Sequence, residues 1–107
     1  MKNDRSYLDV FQRIIELSKG DNASNNIKNY LLRCDWDTIK VVQTAVYLGE
    51  DEERLARTAN LWETLKIDIE EQIWETDKEL EVRQISDKCE GTIPGEALER
   101  VINKFYK

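Results

Sequence analysis

No histidine occurs anywhere among the 107 residues. That absence removes Ser-His-Asp and Cys-His nucleophile systems, the HExxH metal motif, and the usual His-containing zinc and iron sites. Di-iron helical bundles go with them, because they need a Glu-x-x-His pair. Cysteine is scarce as well. Cys34 and Cys89 stand far apart, neither sits in a CxxC pair, and both are expected to be reduced and packed as small hydrophobes. Neither a GxxxxGK[ST] nor a GxGxxG loop is present, so nucleotide binding through a phosphate cradle has no support. No run approaches the ~20 apolar residues that span a bilayer. The start, "MKNDRSYLDV", carries charges where a signal peptide would carry a long apolar stretch. The expectation is a cytoplasmic protein with no cofactor and no membrane association.

Helix breakers are few, with four glycines and one proline, while Glu, Lys, Leu and Ile are plentiful. That balance suits helices. Charged residues make up 36% of the chain, yet nine aromatics and regularly spaced aliphatics argue for a folded core. At this length the core needs no staples, and no linker divides it, so residues 1–107 are expected to form a single helical domain. The net charge of −6 is uneven. Residues 1–48 hold seven basic and six acidic groups, and residues 49–107 hold nine basic and sixteen acidic ones. An acidic second half repels phosphate backbones, which disfavours nucleic acid as a partner.

The segment "DWDTIKVVQTAVYLGEDEE" poses the sharpest structural question, because six of its residues are β-branched. A strand needs alternation at period two, but Val41 and Val42 are adjacent, and so are Ala45 and Val46. On a helical wheel Ile39, Val42 and Val46 cluster, and Val41, Ala45 and Leu48 widen the cluster to about half the circumference. Asp35 or Asp37 can cap the front, and Gly49 fits the position just after the end. Periodicity and caps outweigh propensity, so a central helix is predicted at about residues 36–48.

Around it, the spacing predicts a first helix from Ser6, as its cap, to Lys19. A short second helix should start near Ser24 and present Ile27, Tyr30, Leu31 and Cys34. "EDEERLARTANLWETLK" reads as one helix with Leu55, Ala59 and Trp62 inward. One or two helices are favoured between about Ile69 and Cys89 over a small hairpin, which the brief alternation in "KIDIEEQIW" would otherwise suggest. A last helix over "TIPGEALERVINKFY" has Pro94 in its first turn. The predicted fold is all-α, a compact bundle of five or six helices.

Three surface features carry functional candidates. Asp68, Glu71, Glu75, Asp77 and Glu81 form an acidic run, with Glu71 and Glu75 on one helical face, and carboxylates of that kind could hold Mg²⁺ or Ca²⁺. A solvated face that keeps the protein soluble is the plainer account, and no metal site is assigned. The second and third helices could mimic a helix-turn-helix, but Lys28, Arg33 and Lys40 are too few bases for a recognition helix. The third feature is the narrow polar side of the central helix: Trp36, Lys40, Gln43 and Tyr47, spaced four, three and four. Two aromatics with a lysine and an amide match the anchors of protein interfaces. The alternative is that Trp36 covers the junction with the second helix and Tyr47 lies on a neighbour; Trp74 and Tyr106 carry the same ambiguity.

At "DWDTIKVVQTAVYLGED" and "LEVRQISDK", the chain resembles a bacterial family of small domains of unknown function, over roughly Asp35 to the C-terminus. That resemblance implies a bacterial cytoplasmic protein and brings no catalytic or ligand residue with it. Family members often place Arg after the glycine where this chain has Glu50. The function expected is a non-catalytic protein-interaction or regulatory module that binds a protein or itself through Trp36, Lys40, Gln43 and Tyr47. The alternatives are an acidic decoy presenting residues 68–81 to a basic site, and a carboxylate-based metal-dependent enzyme.

Overall fold

A computed structural model describes residues 4–107. Its elements run α1 (Asp4–Ser18), α2 (Ala23–Leu32), α3 (Trp36–Glu50), α4 (Glu52–Arg57), α5 (Leu61–Glu71) and α6 (Lys78–Ser86). A 3₁₀ turn (Lys88–Gly91) then leads into α7 (Thr92–Phe105). The described residues contain no strand, so the fold is all-α, with seven helices where five or six were expected.

α3 is the axis of the domain. Asp35 caps it, its carboxylate accepting from the Thr38 amide at 2.8 Å. Ten of its fifteen residues are buried, so other elements cover nearly its whole circumference. The six β-branched residues cost roughly 0.5 kcal/mol each in helix propensity, about 3 kcal/mol together. Burying Ile39, Val41, Val42 and Val46 returns roughly 1.5–3 kcal/mol per side chain, which decides the matter for the helix.

α7 packs along both α1 and α3, and α2 packs against α6. One core runs through the molecule, from Tyr7, Phe11 and Ile14 through Ile39, Val42 and Val46 to Leu98 and Val101. Cations from distant helices close the C-terminal ends of three others, where carbonyls lack helical partners. Lys78 donates to the Leu32 carbonyl at 3.0 Å, Arg100 to that of Gly49 at 3.2 Å, and Lys104 to those of Leu55 and Ala56 at 2.6 and 2.7 Å.

Several boundaries differ from those the sequence suggests. α1 begins at Asp4, so Ser6 lies inside the helix and does not cap it. The expected single helix over residues 50–66 is broken at Thr58–Asn60. The Thr58 hydroxyl turns back to the Arg54 carbonyl, and Asn60 starts α5 by accepting from the Glu63 amide at 3.1 Å. Asn-x-x-Glu is a capping signature. α5 runs on to Glu71, and residues 72–77 form a loop with neither helix nor hairpin.

Gly49 does not end α3; it lies inside the helix at the crossing with α7. A Cβ there would sit 2.6 Å from the carbonyl carbon of Ala97, so only glycine lets the two backbones approach this closely. Gly91 has a different task. It adopts φ 94° in the turn into α7, after Cys89 and Glu90, which also have positive φ.

Candidate functional site

The four residues proposed for docking do not form one open stripe. Gln43, at the middle, is 0% exposed. Its amide nitrogen donates to Glu81 Oε2 at 3.2 Å and to Gln84 Oε1 at 3.3 Å, while Glu81 Oε1 accepts from the Glu75 amide at 3.1 Å. Glu81 is itself 1% exposed. α6 and the 72–77 loop therefore lie over the centre of the stripe, and Gln43 is removed from any docking face. An amide reads as solvent-facing from sequence, but a partner 38 residues away makes its burial tolerable.

The ends of the stripe behave differently. At the C-terminal end, Tyr47 is 38% exposed and Lys88 Nζ stands 4.7 Å from its ring centroid. The same ammonium bonds both carboxylate oxygens of Glu50, at 2.9 and 3.1 Å. At the N-terminal end, Lys40 Nζ lies 5.8 Å from the Trp36 ring and 5.7 Å from the Trp74 ring, within reach of both π-faces. Trp74 is anchored by its indole N–H, which donates to the Ile69 carbonyl at 3.0 Å. Lys40 thus ties the 72–77 loop to α3.

Beside this clamp runs a groove of about 320 Å³ between α3 and α5. Val41 and Ile69 supply its apolar surface, Asp37 and Lys40 one wall, and Lys66 and Glu70 the other. Ile73, next to Trp74 in the loop, is 94% exposed, the most open large hydrophobic residue described. Ile69, Ile73, Lys66 and Glu70 were not among the residues expected at a site. The legible signal was "QIW", an apolar pair in an otherwise polar stretch in which Trp74 has no apolar residue three or four positions away.

The acidic run is dispersed. Asp68 accepts from Arg54 at 2.7 Å, and that hydrogen bond pushes the Arg54 guanidinium above its usual range. Asp77 caps α6 through the Glu79 amide, Glu81 is turned inward to Gln43, and Glu71 and Glu75 remain exposed. The expected shared helical face for Glu71 and Glu75 does not exist, because residue 75 lies beyond the end of α5. Among the described residues, no three His, Cys, Asp or Glu side chains gather as a metal site. Cys34 and Cys89 are not joined by a disulfide. Burial raises the Tyr30 phenol above its ordinary value, with nearby Cys34 adding to the shift.

A second concavity, of about 430 Å³, lies where α2 and α7 begin. Its hydroxyls are already engaged, Ser24 with Asp87 at 2.8 Å and Thr92 with the Cys89 carbonyl at 2.9 Å. No helix among the described residues is long and apolar enough to cross a membrane. Comparison with family models, with curated proteins and with solved structures finds no match.

Proposed function

We propose that the chain is a non-catalytic protein-interaction module that docks its partner on the open end of α3. The face comprises Trp36, Lys40, Trp74 and Ile73, together with the adjoining groove floored by Val41 and Ile69. One observation carries the proposal: Ile73 stands 94% exposed beside a lysine held between two tryptophans. Aromatic and aliphatic anchors clustered next to a concavity are what interface hot spots are made of. The resemblance in Asp35–Asp51 and Leu80–Lys88 gives the module its setting, a bacterial cytoplasm.

The exposed Glu71, Glu75 and Asp77 favour a second reading, an acidic decoy for a basic site. A single variant separates the two. Ile73→Asp removes an apolar anchor and adds an acid, so it weakens apolar docking and leaves or strengthens acid-led docking. The test is comparative capture of partners by wild-type and variant protein, with unfolding midpoints measured alongside. Loss of a partner at an unchanged midpoint supports the apolar face. Retention of every partner, with affinity collapsing as salt rises, supports the decoy.

A further inference from the structure

We infer that residues 72–77 are a strap that lifts off α3 and settles back as a unit while the helices stay folded. The proposed docking face then exists only while the strap is closed. That second step rests on the proposed interaction role; the motion itself does not.

Little apolar burial holds the strap down. From Lys66 through Leu80 no side chain is buried, and Ile73 projects into solvent. The chain on either side is anchored, by Leu65 in α5 and by Val82 and Ile85 in α6, all 0% exposed. A segment with few buried apolar contacts, set between firm elements, opens locally at well below the free energy of global unfolding.

Two ties reach from the strap to other helices. Lys40 Nζ on α3 stands 5.7 Å from the Trp74 ring centroid, and Glu81 Oε1 on α6 accepts from the Glu75 amide at 3.1 Å. Other hydrogen bonds of the segment are local: the Trp74 indole to the Ile69 carbonyl, the Gln72 amide to that of Asp68, and the Glu79 amide to Asp77. These stay within the strap and the helix ends beside it, so lifting does not require their loss.

Beneath the strap the interior is polar and poorly matched. Glu81 is 1% exposed, its donors are the neutral amides of Gln43 and Glu75, and among the described residues it has no ion pair. Gln43 Oε1 is buried without any donor. A buried carboxylate lacking a cation and a carbonyl lacking a donor both penalise the closed state. Gln84, which accepts from the same Gln43 amide nitrogen, is exposed, so the cluster lies close to the surface. Water reaching it as the strap lifts hydrates both groups, which offsets the two ties lost.

The closed strap holds Trp74 against Lys40, with Ile73 next to it; the open strap carries both away and uncovers the middle of α3. Partner affinity therefore scales with the closed fraction, and a docked partner holds the strap shut.

Hydrogen exchange of the full chain alone, followed amide by amide from zero to about 1 M urea, tests the motion. The probe is the Glu75 amide, whose hydrogen bond is the tie to Glu81. It should exchange about a hundredfold or more faster than the slowest α3 amides, at a rate that urea leaves unchanged, because local lifting exposes little surface. Lys40→Met should speed it about threefold to tenfold by removing one cation–π tie. Gly49→Ala acts at the α3–α7 crossing, so it should speed the α3 amides and leave Glu75 unchanged; the urea series on the wild type decides the matter if that variant does not fold. A Glu75 rate that rises with urea in step with α3 overturns the inference, because the strap then opens only with the whole domain. A rate indifferent to Lys40→Met overturns it as well, since the strap is then not fastened to α3. Failure of docking in the Ile73→Asp capture experiment would not move these rates, which separates loss of the interaction role from loss of the strap.

Discussion

Replacing Gly49 by alanine sets two effects against each other, and the structure decides between them. In an open helix the change is favourable by about 1 kcal/mol, since glycine is the poorer helix former. Here the new methyl would lie 2.6 Å from the Ala97 carbonyl carbon and 2.9 Å from its Cα, and the obstacle is backbone that no rotamer change can move. Restoring ordinary carbon–carbon contact requires α3 and α7 to separate by roughly 1 Å, and a gap of that size forfeits a quarter to a half of the dispersion across it. α7 buries Ala97, Leu98, Val101 and Ile102, so the loss falls at the upper end of overpacking penalties, about 3 kcal/mol. The net expectation is a destabilisation of about 2 kcal/mol, or a melting temperature lower by roughly 8–16 °C. Gly20 is the control. Its added methyl meets nothing closer than the Leu17 carbonyl oxygen at 3.8 Å, so Gly20→Ala should hold or raise stability by up to about 1 kcal/mol. Urea unfolding followed by circular dichroism measures both. Gly49→Ala as stable as the wild type would refute the close crossing.

Other perturbations address the clamp, the buried pair and the titrating phenol. Lys40→Met keeps the aliphatic stem but loses two cation–π contacts, so it should cost about 1–2 kcal/mol and change tryptophan fluorescence. An unaltered spectrum would deny the Trp36–Lys40–Trp74 arrangement. Glu81→Ala strips acceptors from Gln43 and from the Glu75 amide, which predicts a loss of about 2–3 kcal/mol in urea unfolding, with Glu81→Gln milder. Equal stability of the alanine variant would place Glu81 at the surface. The Tyr30 phenol is raised above its ordinary value of 10.0, chiefly by burial. The folded state therefore holds that proton more tightly than the unfolded one. The associated stability is complete below pH 10 and declines as pH climbs through the folded value. Tyr30→Phe should flatten part of that alkaline decline, and identical pH profiles would contradict the shift.

The helical architecture was legible because α3 carries two strong local signals, an Asp cap and apolar residues at helical spacing, that overrule its valines. Boundaries were less legible where one residue type serves two tasks. Gly49 resembles a stop signal, but it is a crossing point, and only the position of Ala97 on another helix distinguishes the two. The break before α5 was readable in Asn60 and Glu63, yet the continuous polar and apolar pattern across Arg57–Leu61 masks it. For the candidate site, Trp36 and Lys40 are half-buried at the N-terminal end of α3. Gln43 is fully buried, because its acceptors on Glu81 and Gln84 come from a helix whose register against α3 no local pattern encodes. Trp74 and Ile73 join the face through the loop that Lys40 holds down, a long-range contact of the same kind.

Hydrogen–deuterium exchange of the backbone amides tests most directly the claim that α3 is the buried axis of this domain. Amides from Lys40 to Leu48 should be among the slowest in the chain, opening only with global unfolding, while those of residues 72–77 exchange early, apart from the Gln72 amide bonded to the Asp68 carbonyl and the Glu75 amide held by Glu81. Exchange of the Lys40–Leu48 amides at the rate of the 72–77 loop would contradict the fold and remove the face built on it.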